Sequence, residues 1–307
     1  MKYALDDLLR RCSLCPRRCG VNREAGETGF CGAPARPRVA LASLHFGEEP
    51  CISGKGGSGT VFFSHCNLRC VFCQNHQISH GGFGRTVDVD RLTQMFINLQ
   101  NEGAHNINLV SPTPYVPAVA RAIEGARRRG LAVPVVYNTN AYENVATLAL
   151  LDGLVDVYLP DLKYRDGRWA GRYSAAPDYF PAAAAAVKEM YRQTGTPVLD
   201  EHGLVRRGLI IRHLVLPGHV ADSLQVLRWI AANLPTDVYV SLMAQYFPTH
   251  RAPAMPPLNR RLRVKEYQRV VACLLELGLE NGFVQELEAA SEEYVPDFNL
   301  DGVTGDK

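Results

Sequence analysis

Three cysteines lie close together in the chain at a spacing that is typical of metal ligands. Cys66, Cys70 and Cys73 form a C-x3-C-x2-C pattern directly after an apolar, strand-like segment. Three thiolates can hold three irons of a four-iron cluster, and because such clusters usually take four cysteines, the fourth iron is left open to an outside ligand. The spacing therefore predicts an iron-sulfur centre that performs chemistry.

A zinc knuckle and redox-inert core thiols are the simpler interpretations of this triplet, since buried free cysteines are common. Zinc sites, however, usually combine two C-x2-4-C halves, whereas the triplet is a single loop. The loop also concentrates three potentially charged sulfurs within a few residues, which apolar packing does not tolerate without a metal. These arguments favour the cluster, with zinc as the alternative.

An aromatic residue inside the loop extends the pattern. With Phe72 before the last cysteine, the loop reads C-x3-C-x-aromatic-C and resembles the signature of the radical S-adenosylmethionine (SAM) superfamily. The resemblance implies that SAM chelates the open iron of a [4Fe-4S] cluster. It further implies that one electron, supplied by a reductant such as flavodoxin or ferredoxin, cleaves SAM to a 5′-deoxyadenosyl radical that abstracts a hydrogen atom from the substrate. Phe72 would lie near the adenine, where an aromatic face can stack.

Composition and charge agree with this interpretation. The chain has 307 residues, of which 47% are hydrophobic, which is enough to bury a full core. The net charge is only +2, and no aromatic residues are interleaved with the arginine runs, so no nucleic-acid function is predicted. Charge comes too early for a signal peptide, and no stretch approaches the ~18 apolar residues of a membrane span. We expect a cytoplasmic protein, whose nine cysteines then point to metal ligands rather than disulfides.

Hydrophobic periodicity predicts strands that alternate with helices. The expected strands are Thr60–Ser64, Asn106–Val110, Val135–Tyr137, Val155–Leu159, Leu209–Leu216 and Val238–Leu242. The expected helices are Asp90–Glu102, Val116–Arg129, Glu143–Asp152, Phe180–Thr194, Ala221–Asn233 and Val264–Leu279. This alternation indicates an α/β fold with a parallel sheet, doubly wound or barrel-like. The superfamily resemblance implies a partial (β/α)6 TIM-type barrel with a small Cys-rich N-terminal segment.

Polar residues at the carboxyl ends of these strands form a candidate SAM pocket, since ligands of parallel sheets collect at that edge. Ser111 and Thr113 follow the second strand, at a place where the superfamily often has a Gly-Gly-Glu stretch. The remaining candidates are Asn138, Thr139, Asp161, Lys163 and Arg212.

The fourth and fifth strand ends resemble a narrower group, the activating enzymes of pyruvate formate-lyase and their relatives. This group has an Asp-x-Lys and a fifth-strand Arg before a Pro-Gly turn. The resemblance implies that Lys163 and Arg212 neutralise the SAM carboxylate, and that Asp161 and Thr139 help to hold a monovalent cation. The chain has Asn138 where the group has an Asp. Taken without the resemblance, the simpler interpretation is that the Lys163 side chain extends its charge to solvent and that Arg212 forms a surface ion pair.

The first 50 residues contain a second cysteine set, in a loop-rich segment that we call the leader. Its ligand candidates are Cys12, Cys15, Cys19 and Cys31. Four cysteines in 20 residues fit a structural zinc or an auxiliary iron-sulfur cluster, and the spacing allows both. The leader resembles that of an activating-enzyme-like branch. We predict three parts, which are the leader (1–50), the barrel (51–285) and a polar tail (286–307).

Three functions are compatible with these features. The first is a radical SAM enzyme, resembling the glycyl-radical activating enzymes, that abstracts hydrogen from a protein or peptide. The second is a radical SAM enzyme that modifies a small molecule or a modified peptide. The third is a non-catalytic iron-sulfur or zinc scaffold or electron carrier.

Overall fold

An open, mostly parallel β-sheet forms the centre of the structure, a computed structural model that describes residues 7–287 and 296–304. Its strands are β1 Arg38–His45, β2 Ser58–Phe63, β3 Arg85–Thr86, β4 Ile107–Val110, β5 Val135–Thr139, β6 Val157–Pro160, β7 Val198–Leu199, β8 Val205–Leu214, β9 Tyr239–Met243 and β10 Gly282–Val284. The six strands predicted from the sequence correspond to β2, β4, β5, β6, β8 and β9.

The strand order follows the chain order along the parallel part of the sheet. Each strand of this part pairs in parallel with the next one in the sheet, in the order β2, β4, β5, β6, β8, β9 and β10. No pairing joins the two ends of the sheet among the described residues. The prediction of an α/β fold with a central parallel sheet is therefore confirmed, in an open rather than a closed form.

Helices connect these strands, as parallel pairing requires. They are α1 Pro50–Ser53, α2 His76–Ser79, α3 Val89–Asn101, α4 Val116–Arg128, α5 Val145–Leu148, α6 Gly167–Ser174, α7 Tyr179–Thr194, α8 Val220–Asn233 and α9 Val264–Glu276. Asp88 caps the N-terminus of α3, because its side chain accepts a hydrogen bond from the Arg91 backbone N–H at 2.8 Å. Gly130 follows α4 with a left-handed φ of 92°.

Several elements that the sequence did not predict accompany this core, among them β7 and the short helices α1 and α2. Strand β1 pairs antiparallel with β2, β3 pairs with β1, and β10 adds a seventh parallel strand. Helix α6 was missed because its two glycines weaken the helical pattern, although the Asp166 side chain caps it. The sheet thus begins before the predicted boundary at residue 50, and the division into three parts stays a prediction.

Buried side chains cover both faces of the parallel strands, as expected when helices enclose a sheet. All residues of β2, β5 and β6 are buried. Much of the predicted tail, including Glu288, Glu292 and Glu293, lies outside the described residues. The described residues 296–304 lie along β1, where the Leu300 N–H donates to the Ala40 carbonyl at 3.1 Å. None of the described helices is long and apolar enough to span a lipid bilayer.

Candidate active site

A cavity of about 290 Å³ lies at the carboxyl ends of the parallel strands. The triplet loop reaches it because the loop directly follows β2. Residues from the ends of the neighbouring strands complete the wall. The predicted site residues that line the cavity are the three triplet cysteines, Phe72, Ser111, Asn138, Thr139, Asp161, Lys163 and Arg212. Thr113 is the exception, because it is buried and lines a different cavity. The structure therefore brings nearly all predicted site residues together.

Each thiol of the triplet has a polar partner within hydrogen-bonding distance. Cys70 Sγ lies 3.0 Å from Ser174 Oγ, and Cys73 Sγ lies 3.1 Å from Ser79 Oγ. The Asn140 amide donates to Cys66 Sγ at 3.3 Å. Hydrogen bonds to sulfur stabilise thiolate and tune iron-sulfur centres, so these groups suit cluster ligands. The sequence did not indicate them, because each comes from a different loop or helix end.

Burial makes these thiols poor acids. It raises the pKa of Cys66, Cys70 and Cys73 to about 11 each. Thiolates at this place therefore require a strong cationic partner such as a metal. The donor set fits an iron-sulfur cluster, with three sulfurs on one cavity and polar donors behind them. No group of three or more His, Cys, Asp or Glu side chains is already arranged around a metal position within the described ranges.

A buried charge network crosses the cavity next to the triplet. Arg212 donates to Asp161 Oδ1 at 2.8 Å, to Glu48 Oε2 at 3.0 Å and to Asn138 Oδ1 at 2.6 Å. Lys163 Nζ donates to Asp161 Oδ2 at 2.7 Å. Burial alone would raise the pKa of Asp161, but the charges of Arg212 and Lys163 lower it. Asp161 is therefore ionised at neutral pH, and it ties both cations to one carboxylate.

One residue of this network was not predicted from the sequence. Glu48 was not a candidate, yet its side chain is only 10% exposed and is paired with Arg212. It comes from the segment between β1 and α1, where the sequence predicted no site residue. Lys163 and Arg212 are paired with carboxylates of the chain itself, and their contact with a SAM carboxylate stays a prediction.

The threonines of the predicted pocket point to another buried carboxyl group. Thr113 and Thr139 each place a hydroxyl 2.5 Å from Glu143 Oε1, and the Tyr137 hydroxyl lies 3.3 Å from the same atom. The hydroxyl of Thr139 is thus directed to Glu143, while the carboxylate of Asp161 pairs with Lys163 and Arg212. Thr139 and Asp161 both line the active-site cavity, and the cation site stays a prediction.

We expect Glu143 to make the protein less stable as the pH rises. Burial raises the pKa of Glu143 from 4.5 to about 7, although three hydroxyls oppose the shift. The folded state binds this proton more tightly than the unfolded chain, so stability should fall between pH 4.5 and 7, by about 3 kcal/mol. Glu143→Gln cannot ionise and should lack this decline in urea unfolding free energies.

The control for this measurement is Glu280→Gln, which replaces an exposed carboxylate. This variant should keep the slope of the unmodified protein between pH 5 and 7.5. Equal slopes for Glu143→Gln and the unmodified protein would contradict the assignment of the decline to Glu143.

The leader cysteines meet at a second, smaller cavity. All four line it, together with Arg17 and Arg23 of the leader and Asn67, Thr113 and Pro114 of the barrel. This cavity lies beside the triplet loop, because Asn67, one of its lining residues, directly follows Cys66. Asn140 holds both residues, since its amide donates to Cys66 Sγ and, at 2.8 Å, to Asn67 Oδ1.

Comparisons with known proteins agree with the geometry of this site. Residues 60–230, more than half of the chain, match the Radical SAM superfamily. An uncharacterized protein of Methanocaldococcus jannaschii is 32% identical over 283 residues, which cover 89% of this chain and 77% of the relative. The chain belongs to the radical SAM superfamily.

A solved structure shares the fold. The crystal structure of Streptococcus suis SuiB bound to precursor peptide SuiA has a TM-score of 0.50 and 12% sequence identity, and the match covers 73% of this chain and 48% of that chain. The chain thus spans about half the length of that protein. Superfamily membership implies a [4Fe-4S] cluster and SAM, and the triplet with its surrounding donors fits both.

Proposed function

We propose that the protein is a radical SAM enzyme that abstracts a hydrogen atom from a protein or peptide, in the manner of the glycyl-radical activating enzymes. The observation that carries this proposal is the shared cavity, where three cysteines meet a buried network of two cations and two carboxylates. When bound, the cluster supplies the electron that cleaves SAM to a 5′-deoxyadenosyl radical.

The residues of the chain would bind and orient SAM. Cys66, Cys70 and Cys73 would hold three irons and leave the fourth to the amino and carboxylate groups of SAM. Lys163 and Arg212 have the charge to neutralise that carboxylate. The polar groups of Ser111, Asn138, Thr139 and Asp161 would surround the methionyl part of SAM, a role shared among the ends of β4, β5 and β6.

The adenine would lie against Phe72, which lines the cavity and is held edge-on by Tyr246 with ring centroids 5.9 Å apart. Tyr246 is itself fixed, because its hydroxyl donates to the Leu258 carbonyl at 2.5 Å. An aromatic ring that cannot rotate freely presents one face or edge to a ligand, which supports a stacking role for Phe72.

A linked set of amide side chains in the cavity supports a polypeptide substrate. Gln285 Nε2 donates to Gln245 Oε1 at 3.0 Å, and Gln74 Nε2 lies 3.5 Å from the Gln245 carbonyl oxygen. Each carboxamide offers both a donor and an acceptor, which match the N–H and C=O groups of a peptide backbone. The fold is also shared with a protein that was solved bound to a precursor peptide.

Three accessory features remain part of the proposal. The leader cysteines would hold a second metal centre, because all four line one cavity. A one-electron donor such as flavodoxin or ferredoxin would reduce the cluster, and the protein would work in the cytoplasm. The predicted division into leader, barrel and tail also stays a proposal.

A deuterium-transfer experiment tests the substrate class. The reduced, cluster-loaded protein is incubated anaerobically with SAM and an extract of host cells grown in deuterated medium. The extract is first divided by dialysis into a macromolecular and a small-molecule fraction. We expect deuterium in the 5′-deoxyadenosine only with the macromolecular fraction, because the radical takes non-exchangeable hydrogen from its substrate.

The other results of this experiment select among the alternatives. Deuterium transfer from the small-molecule fraction alone would show that the substrate is a small molecule rather than a protein or peptide. If the reduced, iron-loaded protein releases no 5′-deoxyadenosine at all, the protein is a scaffold or electron carrier. Some release without deuterium is expected from uncoupled SAM cleavage and serves as the baseline.

A further inference from the structure

The leader cavity is bounded by two parts of the chain that are distant in sequence. Leader residues, the four cysteines among them, form most of it, and the barrel contributes Asn67 from the triplet loop with Thr113 and Pro114 from the loop after β4. Any group held there would fasten the leader to the loops that carry the active site.

Two sulfurs of this set already accept backbone hydrogen bonds. The Phe30 N–H points to Cys19 Sγ at 3.4 Å, and the Ala33 N–H points to Cys31 Sγ at 3.5 Å. Close approach of the backbone to Cys19 is possible because residue 29 is a glycine, and a Cβ there would lie 2.7 Å from Cys19 Sγ. Backbone N–H groups directed at sulfur are typical of metal-bound thiolates.

Two arginines in the cavity wall, Arg23 buried and Arg17 partly buried, have unused hydrogen-bond donors. Arg23 is 2% exposed, and its Nε has no partner, although its other nitrogens reach the carbonyls of Pro34 and Pro114. Arg17 NH2 is also buried without a partner. Neither guanidinium is paired with a carboxylate among the described residues, yet a buried charge needs a counter-charge.

Metal-bound thiolates would supply that counter-charge. Four thiolates around one divalent ion have a net charge of −2, which balances the two guanidinium groups. Four neutral thiols would leave both arginines uncompensated. The arginines therefore indicate an anionic centre in the leader, whichever metal it contains.

The size of the cavity distinguishes a single ion from a cluster. Its volume is about 10 Å³, compared with about 290 Å³ for the active-site cavity. A volume of ~10–15 Å³ is roughly what one water molecule needs. A zinc ion, bound about 2.3 Å from each sulfur, fits this space, whereas the four irons and four sulfides of a cubane cluster do not.

We propose that Cys12, Cys15, Cys19 and Cys31 bind one zinc ion in a closed tetrathiolate site. The ion fixes the fold of the leader beside the triplet loop. The leader already contacts this loop, because Arg17 Nε donates to the carbonyl of Asn67, the residue after Cys66, at 3.0 Å. The ion has no vacant position for a substrate and carries no electrons, since Zn²⁺ has no accessible redox state. Electrons must then reach the triplet cluster by another route.

The test uses the full chain with the triplet removed, Cys66→Ala/Cys70→Ala/Cys73→Ala, so that it does not depend on the proposed function. The protein is treated anaerobically with ferrous iron and sulfide, desalted and analysed for iron, acid-labile sulfide and zinc. We expect about one zinc per chain and neither iron nor sulfide. About four irons with matching sulfide would overturn the proposal in favour of a cluster, and one iron without sulfide would overturn the choice of zinc.

Further substitutions in this background assign the ligands. Cys19→Ser or Cys31→Ser should lower the bound zinc at least about tenfold after dialysis against a chelator. The matched controls Cys51→Ser and Cys273→Ser remove the two cysteines outside both sets and should keep the zinc. Retention of zinc in the leader variants, or its loss in the controls, would contradict the assignment.

Cobalt titration keeps the proposal testable if a leader variant does not fold. The zinc-free protein with the triplet removed is titrated with Co²⁺, which reports thiolate ligation by charge-transfer absorption and tetrahedral geometry by its visible bands. We expect saturation at about one Co²⁺ per chain and displacement by Zn²⁺. Octahedral spectra without thiolate charge transfer would overturn the tetrathiolate site.

Discussion

Replacing Cys70 by alanine should abolish the release of 5′-deoxyadenosine from the reconstituted, reduced protein. Cys70 is one of three ligands of the proposed cluster, and its Sγ lies within hydrogen-bonding distance of Ser174, whose hydroxyl is also 2.8 Å from the Tyr164 hydroxyl. Since changes behind metal ligands already cost 10–100-fold, loss of a ligand should cost at least about 100-fold. Liquid chromatography with mass detection measures the product.

The matched control is Cys273→Ala, which removes a buried cysteine from α9, outside both cysteine sets. This variant should keep both its iron and its SAM cleavage. Iron and sulfide analysis of Cys70→Ala separates loss of the cluster from misfolding, because the leader zinc should remain. Undiminished product release from Cys70→Ala would contradict the role of the triplet.

The features that were predictable from the sequence are local ones. The triplet lies within one short loop, so its spacing alone indicates the metal chemistry. The parallel strands are short, branched runs, and β5 and β6 are buried on both faces and thus read as continuous apolar segments. Arg212 was also identified from a local pattern, its position in the fifth predicted strand before a Pro-Gly turn.

The partners of these residues were not predictable, because they depend on contacts between distant parts of the chain. Glu48 pairs with Arg212 across 164 residues, and Asn140 reaches Cys66 across 74. A Glu in a glycine-rich approach segment has no local pattern that would mark it as a site residue. The hydroxyl of Thr113 was assigned to the SAM pocket from its strand-end position, but β4 ends in a turn that directs it to Glu143.

The metal type in the leader illustrates the same limit. Cysteine spacing indicates which cysteines can bind the same metal centre. Four cysteines at this spacing suit a zinc ion or an iron-sulfur cluster equally. The volume between the sulfurs depends on how closely the leader packs against Asn67 and Pro114, which are far away in sequence. Only the folded arrangement contains that information.

Replacing Arg212 by methionine should produce the largest loss of stability of any single change in the active site. Arg212 is the only bridge between Glu48 and Asp161 in the described network, and all three side chains are less than a fifth exposed. Methionine fills similar space but leaves two buried carboxylates without their shared cation. Removal of one partner from a buried ion pair costs about 3–5 kcal/mol, which urea unfolding can measure.

A matched variant shows whether burial is the cause. Arg127→Met breaks the ion pair between Arg127 and Asp156, whose side chains are about a third exposed. That pair should contribute no more than about 1 kcal/mol. The double change Glu48→Gln/Arg212→Met should recover part of the lost stability, because a neutral amide then replaces one of the two unpaired carboxylates. Equal losses for Arg127→Met and Arg212→Met would contradict the assignment of a buried network.

The pH dependence of the same variant separates electrostatics from packing. In the unmodified protein Arg212 and Lys163 lower the pKa of Asp161, so its ionisation stabilises the fold above its ordinary pKa of 3.8, and this contribution is lost as the pH falls through the lower folded value. In Arg212→Met, burial of Asp161 should outweigh the remaining charge of Lys163, so this carboxyl group should favour a proton. The variant should therefore become relatively more stable between pH 7 and 5, whereas a packing defect alone would be independent of pH.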